Sequence, residues 1–231
     1  MRAPIAIALL LALAAPARAG RPGGVAGTVS FTGAPPARTM LDRSTDMVCK
    51  KDAMLAEDVV VTGGKLRDVH VRIRSGQAGT HKAPATPVVV DQTRCMYRPR
   101  VVGAVAGQKL VVRNSDPTFH NVRGTRDQAT DFNLAHPAHH DDIVRDITAK
   151  AGEVLTLRCD VHPWMRGFVA VTDHPFFAVT GADGAFTIAG LPAGKYTLEA
   201  WHPVLGLQST AIKVVAGKTA RADFVFALPA R

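Results

Sequence analysis

The sequence predicts an all-β protein with a large β-domain followed by a smaller antiparallel β-sandwich. Three observations support this: apolar residues alternate with a period of two, no stretch keeps a 3.6-residue apolar period over three turns, and Gly, Pro or Asp-Gly bounds nearly every segment. Such alternation is typical of half-buried strands, whose side chains point alternately to two faces. The predicted strands are residues 25–31, 66–73, 87–91, 101–105, 109–113, 154–159, 168–172, 185–188, 196–201 and 222–226.

The first 19 residues have the pattern of a secretory signal peptide. Arg2 precedes an apolar run over residues 5–15, and residues 17–19 have the small-x-small form that signal peptidase accepts. We expect cleavage after about Ala19 and a location in the periplasm or outside the cell. The apolar run is roughly half of the ~20 residues needed to cross a bilayer. No comparable run and no lipid-accepting cysteine at the cleavage site follow, so no membrane anchor is predicted.

The charge pattern argues against nucleic acid as a partner. The formal net charge is +9, and it becomes +7 once Arg2 and Arg18 leave with the signal peptide. Lys and Arg are scattered singly apart from Lys50-Lys51, and aromatic residues do not alternate with them as on a nucleic-acid platform. Hydrolase, zinc-protease, phosphate-loop and haem-attachment motifs are absent from the sequence, so no enzyme is predicted.

Three cysteines in an exported chain leave one without a partner. Thiols tend to pair in an oxidising compartment, yet Cys49, Cys95 and Cys159 cannot all be paired within one chain. If a metal takes Cys159, as argued next, then Cys49 and Cys95 are left to form a disulfide. A stray thiol or an intermolecular bridge remains the alternative.

The segment that carries chemistry runs from Cys159 to Gly167. The strand before it gives Leu155, Leu157 and Cys159 one parity, so the thiol should point into the core. His162 and Met165 then follow on one tight loop. Thiolate, imidazole and thioether together suit copper, whereas structural zinc sites use Cys and His in sets of four.

A second imidazole must come from another strand end, because one tight loop cannot surround an ion. His120 fits this role, since it follows the predicted strand 109–113 and a turn at residues 114–117. His136, His139 and His140 lie in the polar stretch 123–150, which we expect to be a long surface loop. They could bind a second metal, although a solvated polar loop is the simpler interpretation.

These residues resemble the cupredoxin, or blue copper, family, and within it the amicyanins most closely. The ligand loop there has the form Cys-x-x-His-Pro-aromatic-Met-Arg-Gly, which matches residues 159–167, and the likeness extends over about residues 85–173. The resemblance implies a Greek-key β-sandwich or barrel holding one mononuclear type 1 copper. It makes His120, Cys159 and His162 the equatorial ligands and Met165 the weak axial ligand. Asn121 would tie the two ligand loops together.

The C-terminal part resembles a second family, the carboxypeptidase regulatory-like or transthyretin-like sandwich. Its pattern Asp-Gly-x-Phe-x-Ile-x-x-Leu-Pro-x-Gly-x-Tyr-x-Leu begins at Asp183. Residues 25–31, followed by Gly33 and two prolines, weakly resemble the start of such a module too. We therefore expect a signal peptide over residues 1–19, a cupredoxin-like domain with an N-terminal extension over 20–173, and a regulatory-like sandwich over 174–231.

The resemblance implies one-electron transfer as the function. His162, flanked by Pro163 and Trp164, would form the electron port at a small apolar docking patch. The partner would be a c-type cytochrome or another periplasmic redox protein, and the positive charge favours one with an acidic face. The alternatives are a copper-binding or copper-delivery protein without a redox partner, and a secreted scaffold or adhesion protein whose metal site is idle.

Overall fold

The computed structural model describes residues 21–77, 79–127 and 129–228, and within them the fold is all-β, as predicted. A single short 3₁₀ turn at Cys49–Lys51 is the one helical element of these residues. The predicted signal peptide lies outside the described residues. Among those described, no helix has both the length and the apolar character needed to cross a membrane.

The N-terminal part of the described chain supplies four strands. They are β1 (Gly23–Phe31), β2 (Val61–Thr62), β3 (Lys65–Leu66) and β4 (His70–Ser75). The strand predicted over 66–73 is thus two strands, because the chain leaves extended pairing at Asp68, whose φ is 64°. Left-handed backbone of this kind interrupts a strand.

The middle of the chain forms a sandwich of its own, which we call the inner sandwich. Its strands are β5 (Val88–Thr93), β6 (Met96–Arg98), β7 (Val101–Val105), β8 (Lys109–Asn114), β9 (His120–Arg126), β10 (Ala129–His136), β11 (Ile143–Asp146), β12 (Val154–Arg158) and β13 (Arg166–Thr172). One sheet has the order β10-β9-β12-β13-β7 and the other the order β11-β8-β5-β6.

The remaining strands pair with the N-terminal ones and form an outer sandwich. They are β14 (Phe177–Val179), β15 (Ala185–Leu191), β16 (Gly194–His202), β17 (Gly206–Val214), β18 (Thr219–Arg221) and β19 (Phe224–Phe226). Strand β1 pairs with β15, β18, β19 and β3, while the facing sheet has the order β14-β4-β16-β17.

The packing differs from the division that the sequence suggested. We expected residues 20–173 and 174–231 to be separate domains, but Val25 and Val71 share one hydrophobic core with Leu198 and Phe226. The extension is therefore half of the outer sandwich, and the inner sandwich is inserted between β4 and β14. Residues 25–31 weakly resemble the start of a regulatory-like module, but local alternation identifies only the strand, and its partners are set by pairing at long range.

The stretch 123–150 is a second correction, because it is not a loop. It contains most of the β9–β10 hairpin together with β11. Strand β10 lies at a sheet edge and buries only its last residue, His136, completely. An edge strand with little buried surface shows no apolar alternation, so its sequence looks like a polar loop.

The sheet pairing brings the predicted ligands to one end of the inner sandwich. His120 opens β9, Cys159 follows directly after β12, and Met165 directly precedes β13. Strand β12 lies between β9 and β13 in the same sheet. Leu155, Leu157 and Cys159 all belong to the buried core, which confirms the shared parity expected for this strand.

Candidate metal centre

Two imidazoles and one thiol converge in the interior of the inner sandwich. The Nδ1 atoms of His120 and His162 are 2.9 Å apart, and the Cys159 Sγ lies 3.9 Å from the first and 3.6 Å from the second. All three residues are buried. One ion at the ~2.0–2.3 Å typical of metal–nitrogen and metal–sulfur bonds can contact all three atoms, so this donor set fits a transition metal.

Met165 lies in the same core and is fully buried. Its backbone N–H donates to the His162 carbonyl at 2.9 Å, which closes the loop on itself as a tight turn. The thioether is therefore held within the interior beside the ligand loop.

Asn121 joins the two segments that carry the candidate ligands. Its Oδ1 accepts from the Asp160 N–H at 2.6 Å and lies 3.4 Å from the Cys159 sulfur. Its Nδ2 donates to Asn133 Oδ1 and to Asp160 Oδ2. Since Asn121 follows His120 on β9, these bonds fix the ligand loop against the strand that holds the other imidazole.

Each candidate imidazole also faces a carboxylate on its far side. His120 Nε2 lies 3.0 Å from Asp116 Oδ2, and His162 Nε2 lies 3.2 Å from Asp46 Oδ2. A hydrogen bond from Nε2–H fixes the tautomer and leaves Nδ1 free to bind a metal. Sequence reasoning missed both carboxylates. Asp116 stands four residues before His120, and Asp46 stands three residues before Cys49. Nearness in sequence to these residues was the only indication that either carboxylate belongs to the site.

The outer edge of His162 is covered, contrary to the expectation of an exposed electron port. The residue is 3% exposed, and the Cys49 sulfur lies 3.7 Å from its Nε2. Pro163 is exposed, while Trp164 is half-buried with its ring centroid 5.1 Å from that of His162. The covering residues come from a segment far away in sequence, which explains why the ligand loop alone suggested an open edge.

This covering segment, residues 41–52, is called the strap. The predicted disulfide between Cys49 and Cys95 is present and ties the strap to the β5–β6 turn. Arg94 and Cys95 form this two-residue turn in the left-handed region, with φ of 55° and 54°. Two side chains near the site hold this turn in place. Arg43 donates to the Arg94 carbonyl at 2.7 Å, and Trp164 Nε1 donates to the Cys95 carbonyl at 3.0 Å.

The electrostatics of the cluster favour a thiolate. Burial by itself raises the pKa of Cys159, but hydrogen bonds with His120 and His162 outweigh it and lower the pKa from 9.0 to about 6. Burial likewise opposes a charge on His120, yet the Asp116 carboxylate and the Cys159 sulfur raise the pKa of that imidazole. The metal-free site therefore stabilises the anionic sulfur that binds metal ions.

We expect the metal-free protein to show this thiolate directly. The ultraviolet absorbance of the thiolate should appear with a midpoint near pH 6, which is well below the ordinary pKa of a cysteine. It should be missing from a Cys159→Ala variant. Because the folded pKa is depressed, the ionised thiol stabilises the fold fully above the unfolded pKa of 9.0, and this contribution is lost as the pH falls towards 6. A titration midpoint near 9 would contradict the arrangement.

The three histidines of the 123–150 stretch do not come together as a second site. His136 is buried and its Nδ1 lies 2.8 Å from Gln92 Oε1, whereas His139 and His140 are exposed. Burial lowers the pKa of His136 and favours its neutral form. Within the described part of the chain, none of the three belongs to a cluster of possible ligands.

Fold and site together define a class: an all-β protein of two sandwiches with a buried two-imidazole, one-thiol cluster able to hold a metal ion. Residues 168–227 match the family model of the carboxypeptidase regulatory-like domain, and the match covers β14 to β19 of the outer sandwich. A comparison with curated proteins gave no match.

Several solved structures that are similar to the chain are cupredoxins. A purple cupredoxin from Nitrosopumilus maritimus is 17% identical over 37% of this chain and 99% of its own, with a TM-score of 0.30. A reduced Cu(I) form of amicyanin is 21% identical over 44% of this chain and 97% of its own, with a TM-score of 0.31. A copper-containing nitrite reductase from Thermus scotoductus SA-01 is 15% identical over 62% of this chain and 28% of its own, with a TM-score of 0.32.

Proposed function

We propose that this chain is an exported copper protein that carries single electrons through one type 1 centre. The observation that supports it most is the convergence of the Cys159 thiol with the Nδ1 atoms of His120 and His162 inside the inner sandwich. Two imidazoles and a thiolate with a weak axial thioether are the donors of blue-copper centres. Copper held by them would supply reversible one-electron chemistry.

The residues of the chain have separate tasks in this proposal. Cys159, His120 and His162 would hold the ion, and the buried Met165 thioether would be a further, weaker donor. Asn121 and the two carboxylates restrain the ligand side chains. The Cys49–Cys95 disulfide supports an oxidising compartment, in keeping with the expected export. The partner would be a c-type cytochrome or another periplasmic redox protein with an acidic face.

A second function is favoured by one specific observation. The strap covers His162, the edge at which we expected electrons to leave. A copper-binding or copper-delivery protein needs no such exit, so the closed edge supports this alternative. Spectroscopy separates the two functions, because only a constrained trigonal site gives an intense blue colour.

The deciding experiment is an optical and electron paramagnetic resonance spectrum of the copper-loaded protein, followed by electron exchange with a c-type cytochrome. An intense visible band with narrow copper hyperfine splitting, and rapid exchange, would support electron transfer. A weakly coloured complex would favour the delivery function. Absence of stoichiometric copper after purification from copper-replete cells would contradict both.

Met165→Leu should leave copper bound while shifting its reduction potential upward. Leucine preserves the volume of this fully buried side chain but removes the thioether, which donates weakly to the oxidised ion. Redox titration of the variant checks the shift, and Met40→Leu at a position 61% exposed is the matched control. If Met165→Leu loses copper as completely as a variant without the thiol does, the axial role is wrong.

A further inference from the structure

The strap is held over His162 by a disulfide and by hydrogen bonds from a buried arginine, so its position is part of the structure of the site. The disulfide anchors it at Cys49, and the buried Arg43 links its two ends. Arg43 Nη1 donates to the Asp52 carbonyl at 3.1 Å, and Nη2 donates to the Arg94 carbonyl on the β5–β6 turn. A segment held at these points presents the side chain at its centre, Asp46, in one place.

The Asp46 carboxylate uses both oxygens. Oδ1 accepts from the backbone N–H groups of Val48 and Cys49 at 2.7 and 2.8 Å. Oδ2 accepts from Thr118 Oγ1 at 2.8 Å and from His162 Nε2–H at 3.2 Å. All four partners donate to the carboxylate, which is the arrangement that suits an anionic group able only to accept hydrogen bonds. These bonds also fix its orientation.

A fixed carboxylate at Nε2 acts on the metal side of the same ring. It holds the proton on Nε2, keeps the Nδ1 lone pair directed at Cys159, and makes the imidazole a stronger donor. It also places a negative charge near the ion, and that charge stabilises the more positive oxidation state more strongly. Neither effect needs Asp46 to touch the metal.

We propose that Asp46 is a positioning residue of the metal centre, which orients His162 from outside and lowers the reduction potential of the bound copper. This inference rests on the proposed function, since it concerns copper held by His120, Cys159 and His162. The carboxylate belongs to a segment 116 residues away from His162, so the sequence around the ligand loop does not indicate it.

Asp46→Asn is the sharpest test, because the amide keeps the shape and removes the charge. Its oxygen can retain the two backbone N–H groups, which leaves an NH₂ group facing His162 Nε2–H. Donor then meets donor, so the tautomer or the ring position must change. We expect a higher copper reduction potential than in the parent. The slowly exchanging Nε2–H signal of His162 in nitrogen-15 NMR spectra of the metal-free protein should also be lost.

Two further variants separate positioning from mere stability. Asp42→Asn removes an exposed carboxylate from the same strap, where its hydrogen bonds are with Ser44 and not with His162, and should leave the potential unchanged. Thr118→Val removes one hydrogen bond of Asp46 but keeps its charge, so stability should fall with little change in potential.

An Asp46→Asn potential equal to that of Asp42→Asn, with the Nε2–H signal intact, would overturn the inference. A parent protein that forms no blue centre would overturn the proposed function and the copper half of the inference. In that case the NMR signal of the metal-free protein would still decide whether Asp46 orients His162.

Discussion

Replacing Cys159 with serine should abolish the blue centre altogether. The hydroxyl is a hard, neutral donor, and the charge transfer that colours a type 1 site comes from the thiolate. Affinity for copper should fall by more than about 100-fold, since even the loss of a residue that only supports a ligand costs about 10–100-fold. Optical titration with Cu²⁺ and a competing chelator measures both effects.

Val161→Ala provides the control for that experiment. Val161 lies on the same loop, is 47% exposed, and is no candidate ligand. The colour and the copper affinity of the Val161→Ala variant should therefore match those of the parent protein. Circular dichroism of the metal-free variants shows whether both remain folded. A Cys159→Ser protein that keeps the parent spectrum would show that the thiol is not a ligand.

Removing the disulfide should lower the free energy of unfolding by the next largest amount, and it should leave the colour of the copper centre unchanged. Cys49 and Cys95 are 46 residues apart, for which chain entropy gives about 4 kcal/mol as an upper guide. The Cys49→Ala/Cys95→Ala variant should therefore unfold at a much lower denaturant concentration. Copper should stay blue, because none of the four candidate ligands is altered.

Denaturant unfolding of the metal-free protein, with and without a reductant, tests this loss of stability. Reduction should lower the unfolding midpoint of the parent by a similar amount and leave the double variant unchanged. Should the parent and the variant unfold at the same midpoint, the disulfide would contribute nothing to stability. Bleaching of the copper in the variant would instead show that the strap is needed to assemble the site.

The all-β class and the ligand loop could be predicted from sequence because both depend on local order. A two-residue alternation defines strands, and the spacing from Cys159 to Met165 places three donors on one turn and its approach. The inward parity of the thiol followed from Leu155 and Leu157. His120 was predicted from the inference that the second imidazole comes from another strand end. In the structure it opens β9, which pairs with β12.

What the sequence did not indicate depends on contacts between distant segments. Strand β1 weakly resembles the start of a regulatory-like module, but its pairing with β15 is a contact between distant segments that this resemblance does not specify. The polar strand β10 carries no alternation, because its outer face meets solvent. The cover over His162 depends on Arg43 and Asp46 as well as on the predicted disulfide, and Arg and Asp are ordinary surface residue types when considered alone.

The insertion of one sandwich into the other sets an order of assembly. Strand β1 is made first, but most of its partners lie in the last part of the chain to be synthesised. Strands β5–β13 all lie between β1 and these partners in the sequence, so the sandwich that carries the thiol and the imidazoles can fold while the outer one is still incomplete. Closing the long outer loop is slow in comparison, because pairing across a large sequence separation pays more chain entropy before any contact forms. The ligand-bearing sandwich can therefore acquire its shape before the ends of the chain meet. Truncated chains that lack β15–β19 would keep only the short pairing of β1 with β3 and leave most of β1 as an unpaired, aggregation-prone edge.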